Sequence, residues 1–189
     1  MWSGPRNIST ALLRSWGNRP DTLVNDEPLY GAFLSETGYG HPVAAEIIDH
    51  YETDWSKVVA GLTGEIPGGK SIYYQKHMAH HLLPGMGREW VLELDNCFLL
   101  REPREMLTSL IKILPEPGVA DTGLPQQLEI FRMVEAQLEK TPPVLDSRDV
   151  LEAPERLLGL LCEKLGVEFN PSMLSWPPGR RDTDGIWAH

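Results

Sequence analysis

Short apolar runs alternate along this chain with longer segments of helical periodicity. That alternation is the pattern of a parallel sheet whose strands are joined by helices. Thr22 to Asn25, Ser71 to Gln75, Cys97 to Leu100 and Val144 to Asp146 are each short, and rich enough in Ile, Val, Leu, Phe or Tyr, to be buried strands. Pro103 to Leu114 puts a proline in a first turn and Met106, Leu107, Leu110, Ile111 and Leu114 at spacings of three and four, which predicts an amphipathic helix. Leu128 to Leu138 repeats the pattern, as does Pro154 to Leu165, with Gly166 placed to stop it. Asp54 ahead of Trp55 suits the N-cap of another short helix. The expected architecture is a three-layer α/β fold with a mainly parallel central sheet flanked by helices. With 189 residues and 41% hydrophobic content the chain can bury one substantial core, so a single domain over residues 1–189 is expected.

A formal net charge of −10 argues against nucleic acid or an anionic membrane as a partner, because phosphate-rich surfaces are bound by an excess of Lys and Arg. Any anion must therefore meet a local basic site. Cys97 and Cys162 lie far apart with no CxxC or CxxH neighbour, so they read as buried free thiols, not as a zinc site or a disulfide. No run of about 18 apolar residues spans a bilayer and no secretory leader opens the chain, so a cytoplasmic, reducing setting is expected. Oligomeric state is left open.

Two stretches have the composition of anion sites. The first is Trp2-Ser3-Gly4-Pro5-Arg6-Asn7-Ile8-Ser9-Thr10, a loop that opens the helical run Ala11 to Trp16. A helix N-terminus offers unpaired N–H groups and the positive end of a dipole, and Arg6, Ser9 and Thr10 add a cation and two hydroxyls. Ser9 and Thr10 equally suit plain helix capping, and the second Gly and the Lys of the GxxxxGK[ST] phosphate loop are missing. The second stretch is Phe98-Leu99-Leu100-Arg101-Glu102-Pro103-Arg104, a strand ending in Arg and running into a helix that carries Thr108 and Ser109. Ser109 lies about two turns along from Arg101, and such junctions sit at the carboxyl edge of a parallel sheet, where ligands bind. The plainer reading pairs Arg101 with Glu102 or Glu105 on the surface.

In this order the two stretches resemble the sulfotransferases that use 3′-phosphoadenosine 5′-phosphosulfate (PAPS), a family within the P-loop nucleotide-binding superfamily. The resemblance is closest to a bacterial-type branch with the opening Trp-Ser-Gly-Pro-Arg-Asn-Ile-Ser-Thr. It implies that Gly4, Pro5, Arg6, Asn7, Ser9 and Thr10 hold the 5′-phosphosulfate and that Arg101 and Ser109 hold the 3′-phosphate. Val144-Leu145-Asp146-Ser147, Pro154-Glu155 and Leu160 to Gly166 are similar to the family's later strand and helix. Gly179-Arg180-Arg181 with Gly185-Ile186-Trp187 is similar to its C-terminal segment, which closes over the 3′-phosphate and adenine. Arg6 stands where many members have Lys. Only Met1 precedes Trp2, where the family has a hydrophobic first strand, and the chain ends at His189, so it reads as trimmed at both ends.

The reaction this implies is attack on sulfur by a hydroxyl or amine of a small acceptor, in line with departure of adenosine 3′,5′-diphosphate and without a metal. A cation must stabilise the leaving oxygen and a base must take the acceptor's proton. Arg6 is the candidate cation. Glu27, in Asn25-Asp26-Glu27-Pro28 after one predicted strand, is the preferred base, and His77, in Gln75-Lys76-His77-Met78 after another, is the second candidate; the resemblance supports both. Lys76 is a further candidate contact for sulfate, and His80 and His81 read as an interior polar cluster. Trp16, Tyr30, Phe33, Tyr73 and Tyr74 are candidates for the acceptor pocket, although most aromatics in such a chain belong to the core. Two readings of other classes stay open. One is a P-loop kinase or nucleotide hydrolase, which needs Mg²⁺ and a phosphate-binding Lys; the other is a catalytically silent nucleotide-binding relative.

Overall fold

The computed structural model describes residues 1–187. Among them, β1 (Trp2–Ser3), β2 (Thr22–Asp26), β3 (Ile72–Met78), β4 (Phe98–Leu100) and β5 (Val144–Asp146) form a five-stranded sheet in the order β2-β3-β1-β4-β5. Every neighbouring pair is parallel, as the connecting helices require. Helix α1 (Ser9–Gly17) leaves β1; α2 (Tyr30–Thr37), α3 (Ala44–His50) and α4 (Trp55–Thr63) follow β2. Helices α5 (Pro103–Leu110) and α6 (Leu124–Leu138) join β4 to β5, and α7 (Ser147–Glu152) and α8 (Pro154–Lys164) come last.

Because successive strand residues point to opposite faces, each strand feeds two cores. Met1, Tyr74, Leu99 and Leu145 pack with Leu13 and Trp16 of α1 and Leu158 and Leu161 of α8. Trp2 and Phe98 face the other way, onto Trp90 and onto Ile130 and Val134 of α6. The expected three-layer α/β architecture is therefore what forms. Cys97 and Cys162 are buried free thiols. No helix among the described residues is long and apolar enough to cross a membrane.

Several elements differ at their ends from the sequence expectation. Trp2 and Ser3, read as the start of a loop, are instead a central strand: the Trp2 N–H donates to the Cys97 carbonyl at 2.8 Å, and the His77 N–H to the Met1 carbonyl at 2.9 Å. β3 runs on to Met78 instead of ending at Gln75. α5 stops at Leu110, four residues short of the expected Leu114. α6 starts at Leu124, with Pro125 in its first turn. The carboxyl ends of β1 to β4 converge on one edge of the sheet, and the loops leaving them carry the candidate site.

Candidate functional site

The loop leaving β1 turns through Arg6, whose φ of 57° lies in the left-handed region that costs a non-glycine residue about 1 kcal/mol. Contacts from β4 and α5 hold it there. Asn7 Nδ2 donates to the Leu99 carbonyl at 3.1 Å, Arg101 Nη1 donates to the Arg6 carbonyl at 2.7 Å, and Arg6 Nε donates to Ser109 Oγ at 2.9 Å. Gly4 is needed for close approach, because a Cβ there would stand 2.5 Å from the Thr122 carbonyl oxygen. No side chain caps α1, so the N–H groups of its first turn face the cleft unpaired by its own helix. The two stretches expected to bind anions, distant in sequence, thus meet at Arg6.

The facing wall is built from the ends of β2 and β3. Glu27 follows β2 with a φ of 49°, and its Oε1 accepts from Lys76 Nζ at 2.7 Å. The same ammonium donates to Asp26 Oδ1 at 2.6 Å, so one buried lysine bridges two adjacent carboxylates and offsets the charge of one of them. Burial pushes the Glu27 carboxyl above its ordinary range and Asp26 adds to the rise, while Lys76 and a hydrogen bond from Trp187 oppose it. Burial works against the Lys76 ammonium, but Glu27 and Asp26 override it and raise its pKa. His81 Nδ1 stands 3.9 Å from Glu27 Oε2, and its ring stacks on Tyr30 with centroids 4.5 Å apart. Burial holds His81 well below its usual range, as do its neighbours His80 and Lys76. His80 is lowered to about 4, again chiefly by burial, so both imidazoles are neutral at pH 7.

Both walls line one cleft of about 680 Å³, with Arg6, Arg101 and Ser109 at one end and Glu27, Tyr30 and His81 at the other. It joins two arginines and the uncapped start of α1 to a buried carboxylate. The family model for the sulfotransferase domain matches residues 1–189, the whole chain. The chain belongs to the sulfotransferase domain family.

Two curated relatives from Arabidopsis thaliana are the branched-chain-amino-acid aminotransferase-like proteins 2 and 1. They are 36% and 35% identical to this chain over 187 residues. The match takes in 99% of this chain but 33% of each plant protein, so the chain spans about a third of their length. Among solved structures, the sulfotransferase domain from the curacin biosynthetic pathway superposes with a TM-score of 0.60 at 15% identity, covering 98% of this chain and 79% of that one. The sulfotransferase domain from the Synechococcus PCC 7002 olefin synthase gives 0.52 at 14% identity, over 92% and 74%. At such identities the likeness is one of fold, and it agrees with the parallel sheet described above.

Within this sulfotransferase domain, Pro5, Arg6, Asn7, Ser9, Thr10, Glu27, Arg101 and Ser109 line the cleft together, and Gly4 lies directly behind them against Thr122. Arg101 also keeps the contact read as the plainer alternative, with Nε 3.5 Å from Glu105 Oε2. His77 is not brought to the cleft. It stacks on Trp2 with centroids 4.5 Å apart, its Nε2 is 3.2 Å from Gln75 Oε1, and it faces a separate cavity. The reason is the extra length of β3: alternation along a strand that includes residues 76 to 78 sends Lys76 and Met78 to the cleft and His77 away from it.

Of the candidate aromatics only Tyr30 lines the cleft; Trp16 and Tyr74 are core, Phe33 packs beside Tyr30 and Leu34, and the Tyr73 hydroxyl accepts from Asn25. Trp187, from the C-terminal segment singled out by the resemblance, lines the cleft, and so does Asp121, which the sequence reading missed because its segment has no recognisable pattern. The C-terminal segment folds against the Glu27 end. Asp184 pairs with Arg14 at 2.7 Å, the Gly185 N–H donates to Asp26 Oδ2 at 3.1 Å, and Trp187 packs on Tyr30. The expected trimming after His189 falls outside the described residues.

Lys76 gives this wall its stability. Lys76→Met is expected to lower the unfolding free energy by about 2 kcal/mol, less than for a sealed ion pair because Glu27 borders the cleft. Urea titration followed by circular dichroism checks this, and an unchanged midpoint would mean that the two carboxylates do not depend on the cation.

Proposed function

We propose that this chain transfers a sulfuryl group from PAPS to a hydroxyl or amine of a small acceptor, with Glu27 as the base. The observation that carries the reading is the meeting of Arg6, Arg101 and Ser109 at the open N-terminus of α1, across one cleft from a buried carboxylate. The loop and the first turn of α1 bind the 5′-phosphosulfate, and Arg101 and Ser109 bind the 3′-phosphate. The acceptor oxygen or nitrogen forms a bond to sulfur as the bond from sulfur to the 5′-phosphate oxygen breaks. The acceptor proton passes to Glu27, and adenosine 3′,5′-diphosphate departs with its new negative charge facing Arg6 and the helix N–H groups. Lys76 holds the Glu27 carboxylate in place.

The test is a thermal-shift titration in EDTA with adenosine 3′,5′-diphosphate, against 5′-AMP and against ATP with Mg²⁺. A ligand that binds only the folded chain raises its melting temperature, by the equivalent of about 2.7 kcal/mol at one hundred times Kd. Stabilisation by the 3′,5′-diphosphate alone supports the two-phosphate site. A larger response to ATP with Mg²⁺ would replace it with a kinase or hydrolase site. Binding without turnover over a broad acceptor panel would leave a silent relative.

A pH profile gives a second check on Glu27. A base works when deprotonated and burial raises this carboxyl, so kcat/KM is expected to climb with pH through an acidic limb above the ordinary carboxylate range. A limb near 4 would point to an exposed acid instead.

A further inference from the structure

Trp187 meets the cleft at its carboxylate end, not over Arg101 and Ser109. Its ring stands at 87° to Tyr30 with centroids 5.0 Å apart, and 5.2 Å from the ring of Tyr51. Its indole N–H donates to the Glu27 carboxyl. Lys76 Nζ donates to the same group from within the wall, while Trp187 lines the cleft. With no other molecule in the cleft, Glu27 is therefore already hydrogen-bonded by the chain itself from the side on which an acceptor has to arrive.

The backbone that carries the ring is fastened without help from the indole. Asp184 pairs with Arg14, the Gly185 N–H donates to Asp26 Oδ2 at 3.1 Å, and the Ile186 N–H donates to Tyr51 Oη at 3.4 Å. The ring itself folds back over Gly185. A Cβ on that residue would stand 2.2 Å from two of the ring carbons, closer than real contacts come, so this seat exists only because residue 185 has no side chain. The indole can leave Glu27 by turning about its own side-chain torsions while residues 184 to 186 stay docked.

We propose that Trp187 is a specificity-determining placeholder: its indole holds the position on Glu27 that the acceptor takes, and an acceptor binds by displacing the ring from its seat. The proposal rests on the reading of Glu27 as the base. The exchange makes and breaks no covalent bond; one N–H leaves the carboxylate and the O–H or N–H of the acceptor replaces it. In the empty cleft the indole spares a largely buried carboxylate from losing a donor. The same contact selects what enters. A molecule that presents an ether, an ester or an alkyl group to Glu27 displaces the indole without replacing its hydrogen bond, and is disfavoured about tenfold or more against one that brings its own donor.

The test is calorimetric titration of the parent chain, Trp187→Ala and Gly185→Ala with free indole and with benzofuran, which matches indole in size but has no N–H. No nucleotide is present. Trp187→Ala removes the ring, whereas Gly185→Ala keeps the ring and closes its seat, at a residue whose φ is not in the left-handed region. Both variants are expected to bind indole at least about tenfold more tightly than the parent does, and at least about tenfold more tightly than they bind benzofuran. Hydrogen exchange of the Trp187 Nε1–H, assigned by its loss in Trp187→Ala, is expected to be at least about tenfold slower in the parent than in Gly185→Ala. Equal indole affinity in all three proteins, equal affinity for indole and benzofuran, or equal exchange in the parent and Gly185→Ala overturns the proposal. None of these outcomes depends on PAPS, whose site is tested separately by the titration with adenosine 3′,5′-diphosphate.

Discussion

Arg101→Ala is expected to weaken binding of adenosine 3′,5′-diphosphate by about 100- to 1000-fold while the fold survives. A charge-assisted hydrogen bond contributes about 1.5–3 kcal/mol, each 1.4 kcal/mol is tenfold in affinity, and a guanidinium offers two such bonds to one phosphate. In this chain the loss is compounded, because Nη1 of Arg101 also holds the Arg6 carbonyl at 2.7 Å and so helps fix a loop turned through an unfavourable backbone conformation. The side chain is about one-third exposed and touches neither core, which is why melting should shift little. Calorimetric titration of both proteins, with circular dichroism on each, decides the point. Arg101→Lys separates the two contributions, since it keeps a charge for the phosphate but loses the planar fork. Unchanged affinity in the alanine variant would remove Arg101 from the proposed 3′-phosphate site.

Glu27→Gln is expected to cut kcat by about 10²- to 10⁴-fold and leave diphosphate affinity within a few-fold, the range in which a positioned base contributes. Glutamine keeps the size of the side chain and an oxygen for Lys76, and Lys76 retains Asp26, so the wall should hold. What is lost is the capacity to accept a proton. The acidic limb of the pH profile should vanish with it. Normal turnover would assign the proton to another group, and His81, 3.9 Å away and held neutral by burial, is the nearest imidazole.

The parts of this molecule legible in sequence are those whose signals are local. The loop from Gly4 to Thr10 announces itself by its residues and by the helix it opens. Arg101 and Ser109 are placed by a strand-to-helix junction and by helical periodicity. β1 gave no such signal because two residues are too few to show alternation; its strand character comes from neighbours on both sides. His77 illustrates a different limit. Ending β3 at Gln75 leaves residues 76 to 78 as a loop in which any side chain can turn to the site, whereas a strand through Met78 fixes alternate faces, and one boundary thereby decides between Lys76 and His77. Asp121 was hidden for a third reason: its place in the cleft comes from tertiary packing, which no spacing encodes.

The position of β1 at the middle of the sheet bears on how the chain becomes folded during synthesis. Trp2 pairs with His77 on one side and with Phe98 on the other, so this strand waits for partners made much later. Until Phe98 has left the ribosome, Met1 and Trp2 have no closed core to enter, and the loop from Gly4 to Thr10 attached to them has no frame. Pairings between such distant segments carry a large loop-closure cost and slow the folding of parallel sheets. The nascent chain therefore carries Trp2 without its strand partners until β3 and β4 have both emerged, the interval in which a chaperone would have most to protect.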